Sequence, residues 1–425
     1  MSPTFRSLHH PNYRLYAIGS LVSNTGTWMQ RVAQDWLVLL LAANSAAAIG
    51  ITTGLQFLPF LLLSPVAGLV ADRMSKRLLL QITNVGMALP AVLLGVLTVT
   101  GAVELWHVYV LAFVLGVSSA FDAPARQSFV SELVGPDDLT NAVGLNSASF
   151  NVARLVGPAV AGLSIAALGS GQVATGWVIL ANGLSYAAPI LTLHLLDQRA
   201  LMSPEPVARS PRAIRAGVAY VRGRPDLMLV LAIVFFTGTF GLNFQMTSAL
   251  MATQVYGKGS TEYGLLGTFL AVGSVTGSLL AARRTRVRHR MVVGAALIFG
   301  SVEILAGLAP SYLVFALLCP VMGLFALTMA TSANAFMQLH TDSGMRGRVM
   351  ALYMMIFIGG TPLGAPAIGW VGEVFGARWT LLAGGLLTVV GVAGSALLYL
   401  RSTRVRLAET RELAEPSPSG VPAAA

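Results

Sequence analysis

The residues of this chain best suited to do chemistry are ionisable side chains set within apolar stretches: Arg31, Asp35, Asp122, Arg126, Arg154 and Glu303. If those stretches cross a bilayer, a charge near the centre costs roughly 2.5–3.5 kcal/mol to insert. A residue kept at that cost has a partner or a task. Arg31 and Asp35 are one helical turn apart and extend a stripe of Ser20, Asn24 and Thr27, so one face of that helix meets water or protein rather than lipid. Two readings of Asp35 stay open. In one it carries a coupling proton or a cationic substrate, tuned by Arg31 and Arg154. In the other it is a permanently charged partner of Arg31, because an adjacent guanidinium favours the ionised carboxylate. Asp122 and Arg126 lie towards one end of the fourth stretch, and Glu303 on the ninth is read as either packing or proton handling.

Two further sets of residues bear on a binding site. The seventh stretch carries Phe235, Phe236, Phe240 and Phe244 with the amides Asn243 and Gln245, and eleven of the 16 methionines fall between 223 and 400. A flexible apolar wall with a few amides suits large hydrophobic ligands. Phe240, Asn243 and Gln245 are therefore expected at a substrate cavity, together with Trp28 and Gln34 of the first stretch. Gly157, Pro158 and Gly162 form a GPxxxG on the fifth stretch. Proline removes a backbone donor and glycine permits close approach, which predicts a bent helix packed at a seam.

The elements that must position these residues are twelve apolar segments, near 13–42, 46–71, 78–100, 106–130, 139–168, 173–196, 225–256, 262–282, 291–309, 311–338, 347–375 and 378–400. About 20 residues cross the hydrocarbon, so the longer members must tilt, kink or project. Continuous apolar runs favour helices over barrel strands. The fold class expected is an all-α membrane protein. Composition agrees, with 55% hydrophobic and 10% charged residues against about 25% charged in soluble domains.

Charge placement orients the segments. Of 27 Lys and Arg, 23 lie at the termini or in breaks that alternation puts on the termini's side, including Arg6, Arg14, Arg73, Lys76, Arg77, Arg346 and Arg348. Only Lys258 and Arg378 fall in the opposite breaks. The positive-inside rule then places both termini in the cytoplasm. The net charge of +10 is accounted for by these loops beside anionic lipid, and no nucleic-acid partner is expected. The single Cys319 excludes a disulfide framework and a cysteine metal site. The N-terminus lacks the pattern of a cleaved signal peptide.

An internal repeat divides the chain. Shifted by 207 residues, 141–162 overlays 348–369 with Leu145 on Leu352, Phe150 on Phe357, Gly157 on Gly364 and Gly162 on Gly369. The organisation expected is a six-helix half over 1–196, a cytosolic linker with an interfacial helix over 197–222, a second half over 223–400 and a disordered tail over 401–425. Two halves around a midplane site are what a rocking secondary transporter needs.

The run Gly68-Leu69-Val70-Ala71-Asp72-Arg73-Met74-Ser75-Lys76-Arg77 resembles the signature of the major facilitator superfamily, with Ser75 where that signature has glycine. The blocks 27–41 and 124–163 are similar to the drug:proton antiporter branch that includes macrolide and enterobactin exporters. The resemblance implies twelve transmembrane helices in the major facilitator fold, with the third, sixth, ninth and twelfth peripheral. It implies a conformational latch of Gly68, Asp72, Arg73, Arg77 and Arg126, in which Asp72 meets the start of the eleventh helix near Gly347–Met350 and Arg73 and Arg77 reach Asp122. It also makes the Gly157–Gly162 motif an antiporter marker, although this chain has Ala161 where paired glycines are usual.

The function expected is proton-coupled export of hydrophobic or amphipathic small molecules across a bacterial-type inner membrane. The alternatives are a proton-coupled importer of a small metabolite and a transporter-shaped sensor or scaffold. The partners expected are a small-molecule substrate, protons and the lipid bilayer, with the chain acting as a monomer. No cofactor, metal or enzymatic activity is expected: the string Gly257-Lys258-Gly259-Ser260-Thr261 lacks the first glycine of a phosphate loop, Ala252 standing in its place.

Overall fold

Helix starts are written into the sequence. Pro11, Pro136 and Pro225 each open a helix, where the missing N–H has no intrahelical acceptor to lose. Ser45 and Ser311 cap theirs by accepting from the N–H groups of Ala48 (3.2 Å) and Val314 (3.4 Å). The chain is thereby divided into Pro11–Leu41, Ala46–Arg73, Lys76–Val99, Leu105–Leu133, Pro136–Ala167 and Gln172–Leu195. A linker helix, Ala213–Arg222, precedes Pro225–Val255, Ser260–Ala282, His289–Gly307, Tyr312–Leu339, Arg346–Phe375 and Ala377–Ala414. This computed structural model describes residues 3–202, 213–282, 288–342 and 344–414.

Eleven of these helices are long and apolar enough to cross a membrane. The twelfth member of the bundle is the first helix, whose 31 residues would reach about 46 Å at 1.5 Å each. It falls short on apolarity because it bears the polar stripe. An even number of crossings brings both chain ends to one face, called here the terminal end.

Each half packs within itself, and two seams join the halves. The second helix runs along the eleventh, and the fifth along the eighth. Both seams are built on glycine. A Cβ on Gly162 would collide with the Ser260 carbonyl and lie 3.2 Å from Gly264 Cα. A Cβ on Gly369 would lie 2.7 Å from the Ala46 carbonyl and 3.1 Å from Gly50 Cα. Gly162 and Gly369 are the residues that the sequence repeat aligns, so the repeat reappears as a near-symmetric pair of seams. Both lie towards the end opposite the termini, where Ser45 Oγ also donates to Glu373 (2.9 Å) and Thr268 Oγ1 to the Leu155 carbonyl (2.9 Å).

Three spans are interrupted. The sixth divides at Tyr186 into Gln172–Ser185 and Ala187–Leu195. The eleventh divides at Gly360 into Arg346–Gly359 and Thr361–Phe375. The seventh runs as α-helix to Phe236, widens to a π-turn over Thr237–Gly241, leaves helix at Leu242 and Asn243, and restarts at Phe244.

The ends of the halves differ from expectation. The linker helix packs on the start of the eleventh span, where a Cβ on Gly217 would be 3.3 Å from Arg348 Cβ, and Val221 is buried among Leu227, Val349 and their neighbours. The last helix continues past residue 400 to Ala414, so the first part of the expected disordered tail is helical. Positions 203–212 of the expected linker and 415–425 of the expected tail lie outside the described residues.

Candidate substrate and coupling site

The seams leave the halves apart at the terminal end, and a cavity of about 270 Å³ opens there. Its walls are the second span (Phe60, Ser64, Gly68), the fourth (Ala120, Pro124, Gln127) and the eleventh (Leu352, Met354, Met355). Apolar and methionine side chains dominate, as a loosely specific site requires. None of the five side chains expected here (Trp28, Gln34, Phe240, Asn243, Gln245) lines this space. Gln34 instead donates to Gln56 Oε1 (3.1 Å), tying the first span to the second. Asn243 is buried and donates to the carbonyls of Thr239 (2.9 Å) and Phe240 (3.1 Å), closing the break in its own span. Phe240 packs edge-on against Phe235, 6.4 Å between ring centres.

Beyond the inner end of this cavity lie the charged residues of the first span. Phe57 stands one turn from the cavity wall at Phe60, and the Arg31 guanidinium lies over its ring at 5.6 Å. Arg31 also lies over Trp28 at 4.7 Å, and Arg154 approaches the same indole at 5.6 Å. Gly157 makes this possible. A Cβ there would lie 2.6 Å from Trp28 Cβ, so glycine alone lets the first and fifth spans close on the ring. Trp28 thus belongs to the site as a cation–π platform for two arginines rather than as cavity lining.

Asp35 is not bonded to Arg31. The carboxylate is 6% exposed, and its Oδ2 accepts the Tyr263 hydroxyl at 2.8 Å. Tyr263 is on the eighth span, so this bond crosses from one half to the other. The permanently paired Arg31–Asp35 bridge is therefore absent: a turn's spacing allows such a pair, but the Arg31 guanidinium stacks on rings, and its Nε is buried without a partner.

The latch residues are engaged differently from the family pattern. Asp122 takes Arg126 of its own helix, at 2.7 Å from Nε and 3.2 Å from Nη2, and accepts Thr83 Oγ1 at 2.9 Å. Arg77 does not reach Asp122. It donates to the carbonyls of Leu193 (2.6 Å) and His194 (3.2 Å) and closes the exposed end of the sixth span. Lys76 pairs with Glu132. Gly68 lines the cavity, while Asp72 and Arg73, about one turn further along the same helix, are exposed. Pro158 and Gly162 lie in the fifth–eighth seam, Pro158 Cβ being 2.9 Å from where a Gly267 Cβ would sit. Glu303 is far from all of these, 1% exposed against the seventh and twelfth spans. Among the described residues no cluster of three His, Cys, Asp or Glu could hold a metal ion.

Sequence reasoning missed Tyr263 and the cavity residues Phe60, Gln127, Met354 and Met355. Tyr263 gave no signal, since only the fold sets its hydroxyl against a carboxylate 228 residues away. The methionines lie in the enriched second half, but nothing in their spacing marked the inward face.

A profile of the transmembrane secretion effector family matches residues 2–419. The chain is 26% identical over 372 residues to the staphyloferrin A transporter of Staphylococcus aureus, covering 86% of this chain and 90% of that protein. It is 28% identical over 401 residues to the multidrug efflux pump Tap of Mycolicibacterium fortuitum, covering 91% and 96%. Among solved structures, the nucleoside transporter NupG superposes with a TM-score of 0.72 at 12% identity, over 91% of this chain and 99% of that one.

Proposed function

Because the chain belongs to the transmembrane secretion effector family of major facilitator transporters, we propose that this secondary efflux transporter is driven by protons and exports hydrophobic or amphipathic small molecules from a bacterial-type cell. The basic loops support a cytoplasmic terminal end. The cavity then faces the cytoplasm and the glycine seams close the outer side, which is the loading state of an exporter.

The observation that carries the coupling mechanism is the Asp35–Tyr263 bond between the halves. An ionised carboxylate accepting a hydroxyl makes a stronger bond than a neutral one. In the empty carrier this bond helps to hold the outer seam shut. A proton on Asp35 removes the charge, and a substrate that draws on that charge competes for it. Either event loosens the seam, so the carrier changes face with a proton or with substrate but not empty. That rule is what antiport requires. Arg31 and Arg154, stacked on Trp28, set the positive potential against which Asp35 is ionised or neutralised. Asp122 and Arg126 stay paired and take no part in proton transfer.

The test uses proteoliposomes and a panel of hydrophobic dyes, with and without a pH gradient. Asp35→Asn should abolish gradient-driven dye movement while leaving dye binding measurable. An Asn variant that still concentrates dye against a gradient would make Asp35 a structural residue.

A further inference from the structure

Glu303 is a carboxylate with no counter-charge. It is 1% exposed, its Oε2 has no hydrogen-bond partner, and no basic side chain among the described residues pairs with it. An isolated buried carboxylate must be neutralised by something. The ninth span carries it to the place where the seventh is broken. There the π-turn Thr237–Gly241 ends and helix does not resume until Phe244, so a half-helix presents its carbonyl end.

Two glycines let the groups converge. A Cβ on Gly384 of the twelfth span would lie 2.7 Å from the Phe240 carbonyl oxygen and 3.1 Å from Glu303 Oε1. A Cβ on Gly241 would lie 2.9 Å from Thr388 Oγ1 and 3.1 Å from Glu303 Oε2. Thr388 is fully buried and its hydroxyl has no partner. Asn243, whose amide nitrogen binds the Phe240 carbonyl, keeps a buried Oδ1 with no partner either. Three spans thus bring oxygen atoms to one dry place and supply no cation.

We propose that Glu303, Thr388 and the Phe240 carbonyl, with Asn243 beside them, bind a small monovalent alkali cation, with Na⁺ as the probe. The ligand atoms are all oxygen, which suits a hard ion. One carboxylate matches one positive charge, whereas a divalent ion would leave a buried surplus. A proton would neutralise Glu303 and donate to one acceptor, and the Thr388 hydroxyl could donate to one more, which still leaves an oxygen of the group unmet. A cation contacts several oxygens at once. Broken helices with exposed carbonyls and half-helix C-terminal ends are suited to this chemistry. The ion would pin the interrupted seventh span to the ninth and twelfth.

The experiment is thermal unfolding of the purified full chain in detergent, in NaCl, KCl or choline chloride at equal ionic strength. The midpoint should rise saturably with Na⁺ and not with choline. Glu303→Gln should remove the Na⁺ response and be at least as stable as wild type in choline, since the amide needs no counter-ion. Thr388→Val should raise the half-saturating Na⁺ concentration about tenfold while keeping the response. A wild-type midpoint identical in Na⁺ and choline between pH 6 and 8 would overturn the site and leave Glu303 as a protonated acid. A Na⁺ response undiminished in Glu303→Gln would overturn it too, placing the ion elsewhere.

Discussion

Asp35 and Tyr263 are 228 residues apart in the chain and 2.8 Å apart in the fold, and the bond between them joins the two halves. The hydroxyl donates and the carboxylate accepts, so the contact is strongest when Asp35 is charged. A hydrogen bond to a charged group contributes about 1.5–3 kcal/mol.

Tyr263→Phe removes the donor and little else. The balance between seam-closed and seam-open states should shift by about 10–100-fold towards open. Two engineered cysteines report this: Ala365→Cys, buried against Gly50 in the outer seam, and Gln127→Cys in the cavity wall. The native Cys319 is buried and should stay silent. The phenylalanine variant should expose Ala365→Cys to reagent from the outer side. Unchanged labelling would assign the seam's closure to glycine packing alone.

That packing has its own test. Gly162→Leu drives a side chain into the Ser260 carbonyl, a backbone group that cannot swing aside. Overpacking costs roughly 1–3 kcal/mol, and here only the seam-closed state bears it. Outer-side labelling of Ala365→Cys should rise and Gln127→Cys labelling should fall. Gly294→Leu, where nothing lies within 4 Å of the added Cβ, is the matched control and should change neither.

The Asp122–Arg126 pair separates a local role from the family expectation. Breaking a buried ion pair from one side costs about 3–5 kcal/mol, and less here because the Arg126 side chain is 19% exposed. Asp122→Asn should lower the unfolding midpoint in detergent, and adding Arg126→Gln should recover most of the loss. If Asp122 instead serves the loop arginines, Arg77→Gln will reproduce the Asp122→Asn effect and the double variant will recover nothing.

What was legible in the sequence follows from which physics is local. Hydropathy, loop charge and the repeat linking Gly162 to Gly369 depend on short windows or simple offsets, and they yielded the spans, the two halves and the seams. Where the eleventh span divides at Gly360, glycine and proline fall together as Gly359, Gly360 and Pro362, a signal visible in a short window. The seventh span's break was not foreseen, because TGTFGLN contains no proline. Side-chain partners were the least legible. Arg31 and Asp35 have the spacing of a pair, yet Tyr263 and the Trp28 ring compete better for them in the folded chain. Cavity lining is hard to read for a related reason: the Asn243 nitrogen is engaged at a helix break that the sequence does not reveal, while its oxygen stays open.

The remaining prediction concerns the state opposite to the one described. When the outer seam opens, the second and eleventh spans must meet at the terminal end, bringing the exposed Asp72 towards the helix that starts at Arg346. That start offers the positive end of a helix dipole. A carboxylate there gains about 0.3–2 kcal/mol, enough to change the population ratio up to roughly 30-fold. Asp72→Asn keeps hydrogen-bonding atoms but loses the charge, so it should disfavour the outward-open state. Gln127→Cys labelling should rise and Ala365→Cys labelling should fall. Asp72→Glu keeps the charge and should recover much of the wild-type ratio. Equal labelling in Asp72→Asn and wild type would make Asp72 an ordinary solvated residue, and the closing contact at this end would then have to be sought between the linker helix and the second span.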